Sequence, residues 1–263
     1  MKVGMIGCGN MAGAMIRGWL GKGAVSREEL MASAKSEATR SKIREVYQIK
    51  EGSNRETAAF ADILFLAVKP VFYQEVIEEI ADAVRPETVI VTLAPGKTLE
   101  WLGSLFGGDR KIVRTMPNTP AMVGEGMTGF CANQAVGAEE LGLVKSLLEC
   151  FGRAQEVPER LMDVVTGISG SSPAYLFMII EAMADGAVAD GMPRAMAYQF
   201  AAQAVLGSAK MVLETGLHPG QLKDMVCSPG GTTIEAVSVL EEKGLRSAII
   251  EAVRACDKKA REM

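Results

Sequence analysis

Two short stretches hold residues whose types and spacing could do chemistry. In MIGCGNMAGAM (5–15), Gly7, Gly9 and Ala12 form a G-x-G-x-x-A pattern between an apolar run and the opening of a helical pattern. In such a turn Gly7 permits the tight bend and Gly9 lets backbone approach a pyrophosphate. Ala12 allows close helix–strand packing, and the helix N-terminus favours the negative charge. In CSPGGTTIEA (227–236), the start of a helix is built from small neutral residues with no Lys or Arg among them. Unpaired N–H groups of a first helical turn can hold an anion, and Gly230 and Gly231 leave room for its approach. A plain cap is the other reading, since Thr232 to Glu235 fits a capping box, with Thr232 capping and Glu235 reaching back.

The elements that must position these residues change character near residue 160. Before it, short runs rich in Val, Ile and Leu (2–7, 29–33, 63–68, 88–93, 112–116) alternate with amphipathic segments. One such segment is 70–84, where Val76, Ile77, Ile80 and Val84 share a face and Pro70 suits the first turn. Strands alternating with helices predict a doubly wound, mainly parallel Rossmann-type sheet, with strands at 127–132 and 153–157 closing its far edge. After Pro158 the strand signals cease, and helices are expected at 162–168, 173–190, 194–215, 219–226, 232–243 and 245–262. The chain is therefore read as α/β, with a dinucleotide-binding domain over 1–158 and an all-helical domain over 159–263. Segments 173–190 and 194–213 are apolar over most of their circumference and must be buried, which predicts a subunit interface. Glu181, Asp185, Arg194, Gln199 and Gln203 interrupt them, so neither is read as a membrane span.

Composition narrows the function classes. The chain has 263 residues and a formal net charge of −4, which argues against nucleic acid and acidic membranes as partners. Its 5 cysteines (Cys8, Cys131, Cys150, Cys227, Cys256) are scattered and never spaced as CxxC, a pattern of reduced thiols in a cytoplasmic protein. The single histidine, His218, leaves no basis for a His-based metal site or a Ser-His-Asp triad, so no metal is expected. No targeting segment is expected either, because MKVGMIGCGN is too short and too glycine-rich an apolar run.

The end of the second strand bears on which dinucleotide is bound. NAD-selective folds place an acid there for the ribose 2′-hydroxyl. Here the chain reads Ala32-Ser33-Ala34-Lys35-Ser36, so Ser33, Lys35 and Ser36 would tolerate or bind a 2′-phosphate. NADPH is the expected cofactor, with NADH possible; an ordinary polar turn with Ser36 as a helix cap is the plainer alternative. AVKP (67–70) and LAPGKT (93–98) fall at the carboxyl edge of the sheet, where ligands bind. In RTMPNTPAMVGEG (114–126), Arg114 is read as a structural ion pair in preference to a carboxylate clamp. Asn118, between two prolines, is read as a rigidified residue facing the crevice.

IGCGNMAGAM, ADILFLAVKP, RTMPNTPAMVGEGMT, TGISGSSPAYLF, ADGMPR, HPGQLKDMV and SPGGTTIEAVSVLE occur in this order. Together they resemble the pyrroline-5-carboxylate reductases, which make L-proline by reducing a cyclic imine with NAD(P)H. The resemblance covers nearly the whole chain and implies an intertwined dimer through the C-terminal helices, assembled in some members into decamers. It implies that Gly7, Cys8, Gly9, Asn10, Met11 and Ala12 hold the pyrophosphate, Ser33 and Lys35 the 2′-phosphate region, and Asn54 the adenosine side. Ala67, Val68, Lys69 and Pro70, with Ala94, Pro95 and Gly96, would lie along the cofactor toward the nicotinamide. Ser228, Gly230, Gly231, Thr232 and Thr233, with Asn118, would form the site for the cyclic imino acid. Thr233 would be the catalytic residue, nearest the imine nitrogen. The chain departs from the family pattern at Ser172, where many members have Gly, at Met225, where some have Asn, and at Pro95, where a small residue is common. Two alternatives stay open on the same scaffold: a related imine or β-hydroxyacid reductase, and a non-catalytic NADP-sensing protein.

Overall fold

The computed structural model describes residues 1–262; residue 263, the last position of the predicted second domain, lies outside them. The strands are β1 (Val3–Ile6), β2 (Leu30–Ser33), β3 (Lys50–Glu51), β4 (Ile63–Leu66), β5 (Val89–Thr92), β6 (Lys111–Met116), β7 (Gly126–Ala132) and β8 (Gly152–Glu156). They form one sheet in the order β3-β2-β1-β4-β5-β6-β7-β8. All neighbours run parallel except β6 and β7.

The apolar runs are unbroken because both faces of the sheet are covered. Val3, Met5, Phe65, Val91 and Val113 face one core, together with Met15, Ile16 and Trp19. Ile6, Leu64, Leu66, Ile90 and Ile112 face the other, with Ile77 and Ile80. Successive strand residues alternate between the two cores, as the period of two requires. The amphipathic face read in 70–84 is the buried one, since Val76, Ile77, Ile80 and Val84 all lie in the second core.

The first compact unit comprises Met1–Ser171 and the chain end from Ala255 onward; the second is Ser172–Arg254. The first carries the helices α1 (Asn10–Gly21), α2 (Glu37–Ser41), α3 (Asn54–Phe60), α4 (Tyr73–Ile80), α5 (Leu99–Phe106), α6 (Ala138–Leu148) and α7 (Met162–Val165). The second holds α8 (Ser172–Ala189), α9 (Arg194–Thr215), α10 (Pro219–Val226) and α11 (Thr232–Glu242), and α12 runs over Leu245–Arg261. Strand signals end after β8, as the sequence indicated. The first helical turns beyond Pro158 nevertheless pack with the sheet: Met162 is buried, and Val165 lies where any Cβ on Gly129 of β7 would be. In the second unit α8 packs against α9 through small residues, with Ala184, Ala197 and Ala201 buried. Most of their large apolar side chains stay outside, among them Phe177, Met178, Phe200 and Leu213. The stretch Glu159–Ala189 is long and apolar enough to cross a membrane by length and composition alone.

Candidate functional site

Strand order reverses about β1, and the crevice beyond its carboxyl end is the expected ligand position in such a sheet. A cavity of about 1050 Å³ lies there, lined by Gly7, Cys8, Gly9, Ser33, Lys35, Asn54, Ala67, Val68 and Lys69 among others. Gly7 has a positive φ of 85°, and a Cβ on it would meet the Ala67 backbone at 2.9 Å. Only glycine fits that turn. Gly9 differs, since a Cβ there would meet nothing within 4 Å. Gly9 is the N-cap of α1 and supplies no side-chain cap, so the first-turn N–H groups stay open toward an anion. A dinucleotide pyrophosphate therefore fits this end of the crevice. Cys8 beside it is pushed up to about 11 by burial, against a smaller pull from Lys42. It stays a neutral thiol and adds no charge to repel the phosphates.

At the far end, buried Ser33 donates its hydroxyl to Asn54 Oδ1 at 2.7 Å, and Asn54 Nδ2 donates to Glu79 Oε2 at 2.7 Å. The expectation that Ser33 serves a 2′-phosphate thus meets a competing partner for its only proton. Lys35 extends over the Phe72 ring, 5.6 Å from its centroid. Ser36 caps α2 by accepting from the Thr39 N–H, so the plainer role weighed for it is its local one. Arg40 and Glu79 also line the crevice. The motifs marked neither, since both sit on ordinary charged helix faces, and only folding brings Glu79 to Asn54 across 25 residues.

The remaining expected cofactor residues follow the strands without lining this cavity. Asn10 and Met11 begin α1, and Ala12 is buried under it. Pro70 opens the short turn of helix Pro70–Phe72, while Ala94 is buried after β5 and Gly96 takes a positive φ of 72°. The loops after β4 and β5 are joined by Tyr73, which is fully buried. Its hydroxyl donates to Leu66 O at 2.6 Å and accepts from Leu93 N–H at 2.9 Å.

Arg114 forms the expected ion pair: only 3% exposed, it donates to Asp163 Oδ1 at 2.7 Å. Asn118 is held from both sides, donating to Ser169 O at 3.0 Å and accepting from Met127 N–H at 2.8 Å. Its carboxamide ties a loop to β7 and to the helical turn Thr166–Gly170, which accounts for its rigidity without a ligand. His218 is a helix cap, accepting from Gly220 N–H at 3.0 Å.

The 227–236 stretch lies in the second unit, whereas Asn118 belongs to the first. Ser228 to Gly231 form a turn closed by Gly231 N–H to Ser228 O at 3.0 Å. Gly230 supplies the positive φ of 66° that such a Pro-Gly turn needs at its third residue. A Cβ on Gly231 would stand 2.4 Å from Ser228 Oγ. Both glycines therefore have local reasons to be there. The expected capping box is absent: Gly231 is the N-cap of α11, Thr232 already lies inside the helix, and no side chain caps it. The cause is register, because the helix starts one residue earlier than Thr232 capping requires. Among the described residues, the N–H groups of Thr232, Thr233 and Ile234 find no acceptor. The absence of the box makes this terminus a better anion site than the sequence suggested.

Residues 159–263 match the family model for pyrroline-5-carboxylate reductase dimerisation, and residues 2–96 match that for NADP oxidoreductase, coenzyme F420-dependent. A pyrroline-5-carboxylate reductase of Escherichia coli is 51% identical over 263 residues, covering 100% of this chain and 98% of the relative. A solved pyrroline-5-carboxylate reductase from Coxiella burnetii superposes with a TM-score of 0.92 at 34% identity, covering 99% of this chain and 97% of that one. The pyrroline carboxylate reductase of Plasmodium falciparum, solved with NADP bound, gives a TM-score of 0.90 at 30% identity, covering 100% and 97% of the two chains. With the open glycine turn at β1 and the uncapped helix behind the Pro-Gly turn both in place, this chain belongs to the pyrroline-5-carboxylate reductase family.

Proposed function

We propose that the protein reduces 1-pyrroline-5-carboxylate to L-proline, with NADPH as the preferred cofactor and NADH as a usable one. The observation that carries this reading is the bare start of α11, where uncapped N–H groups open a stretch, 227–236, that contains no Lys or Arg. The substrate has one carboxylate on a small ring, and its imine accepts hydride readily only when protonated. A Lys or Arg on the carboxylate would disfavour the iminium a few ångströms away; backbone amides avoid much of that opposition.

Gly7, Gly9 and the first-turn amides of α1 would hold the cofactor's pyrophosphate, with Ala67 to Pro70 and Ala94 to Gly96 along its length. Bound NADPH supplies the hydride. The chain's own residues bind and orient. Thr233 and Ile234 offer their N–H groups to the carboxylate, and the Thr233 hydroxyl oxygen orients the protonated imine nitrogen by accepting from its N–H. Ser228 and Gly230 in the preceding turn border the same ligand. With the chain's single histidine, His218, placed as the cap of α10, no imidazole acid is assigned, and the iminium arrives already protonated.

Thr233→Ala tests this assignment, because it keeps the N–H and leaves no cap to lose. Removing one hydrogen bond that strengthens in the transition state should lower kcat/KM on the order of 30- to 1000-fold. Turnover near the wild-type rate would leave Thr233 as part of an anion cradle only.

A second copy is the proposed cover for the apolar faces of α8 and α9, which makes a lipid environment unnecessary for them. The homodimer is the minimal unit in this reading, and a homodecamer is the assembly built from it. A cytoplasmic setting suits the five cysteines, all free thiols.

A further inference from the structure

The Ser33–Asn54–Glu79 chain has a direction that the atoms themselves fix. A carboxylate accepts and cannot donate, so Asn54 must turn its NH2 group toward Glu79. Its carbonyl oxygen then faces Ser33, and the Ser33 proton is committed to it. What Ser33 keeps for the crevice is a lone pair. Such a group accepts from a ribose 2′-hydroxyl and offers nothing to a 2′-phosphate, which itself only accepts.

We propose that Glu79 is a specificity-determining positioning residue that holds Ser33 as an acceptor and so keeps NADH a competent cofactor. The proposal rests on the reading above that this crevice takes the adenosine end of NAD(P)H. Two effects of Glu79 act in the same sense. Its negative charge borders the crevice where the 2′-phosphate would lie, and its demand for a donor fixes the polarity of the whole chain. Acting against it is Lys35, which has no carboxylate partner among the described residues and leans on the Phe72 ring. Of the other cations lining the crevice, Arg40 is already engaged by Glu37 and Glu51, and Lys69 lies in the loop after β4. β2 ends without the usual acid, and Glu79 restores an acid to the same neighbourhood from α4.

The test measures dissociation constants of NADPH and NADH for the purified wild-type protein, Glu79→Gln and Ser33→Ala, by fluorescence titration without substrate. Glutamine removes the charge and donates or accepts equally well, so it frees Asn54 and Ser33 to reverse. Glu79→Gln should move the NADH-to-NADPH dissociation-constant ratio in favour of NADPH by about threefold to tenfold. Ser33→Ala should weaken NADH by about threefold or more and NADPH by less than about twofold. A ratio unmoved in Glu79→Gln, or a Ser33→Ala variant that loses NADPH more than NADH, overturns the proposal while leaving the crevice as the cofactor site. Failure of the wild-type protein to bind either dinucleotide overturns the proposal together with the reading beneath it.

Discussion

The hydroxyl of Tyr73 accepts the backbone N–H of Leu93 at 2.9 Å while donating to Leu66 O at 2.6 Å, so one side chain of α4 joins the ends of β4 and β5. Burial holds its phenol well above the usual tyrosine range, and it stays protonated as that double role requires. These strands lead into the Ala67–Pro70 and Ala94–Gly96 loops proposed to lie along the cofactor.

Tyr73→Phe is expected to leave Leu93 N–H and Leu66 O unpaired in a buried site and to cost about 1–3 kcal/mol. Urea unfolding measures this, and an unchanged midpoint would mean that water or a shifted loop satisfies both groups.

Arg114→Met should destabilise the protein by about 1–3 kcal/mol, because it strips the half-buried Asp163 of its partner beneath β6. If Arg114 were a substrate clamp, the variant would unfold at the wild-type midpoint and fail in KM.

The sheet was legible because buried parallel strands leave unbroken apolar runs, and the helices because Pro173, Pro219, Gly216 and Gly244 punctuate them. β3 was not, since Lys50–Glu51 is a two-residue edge strand with no apolar signal. The turn at Gly7 could be read, because that position answers a local steric need, whereas nothing in the chain itself would crowd a Cβ on Gly9. The Ser33–Asn54–Glu79 chain could not, because its members lie on three elements and only the fold makes them neighbours. The α11 cap was misread by one residue. Thr-x-x-Glu is compatible with a capping box, but the Ser228–Gly231 turn delivers the chain into the helix at Gly231.

The exposed side chains of α8 and α9, including Phe177 at 63% and Phe200 at 66%, make too large an apolar surface for a monomer in water. Light scattering at micromolar concentration should give at least a dimer mass. An active, stable monomer would contradict the proposed interface.

The most direct test of the central claim is product formation by the purified protein given 1-pyrroline-5-carboxylate and NADPH. The account predicts L-proline appearing in equal amount to NADPH oxidised, with NADH supporting the same reaction at lower kcat/KM. NADPH that binds but is not oxidised, or is oxidised without proline being formed, would contradict it.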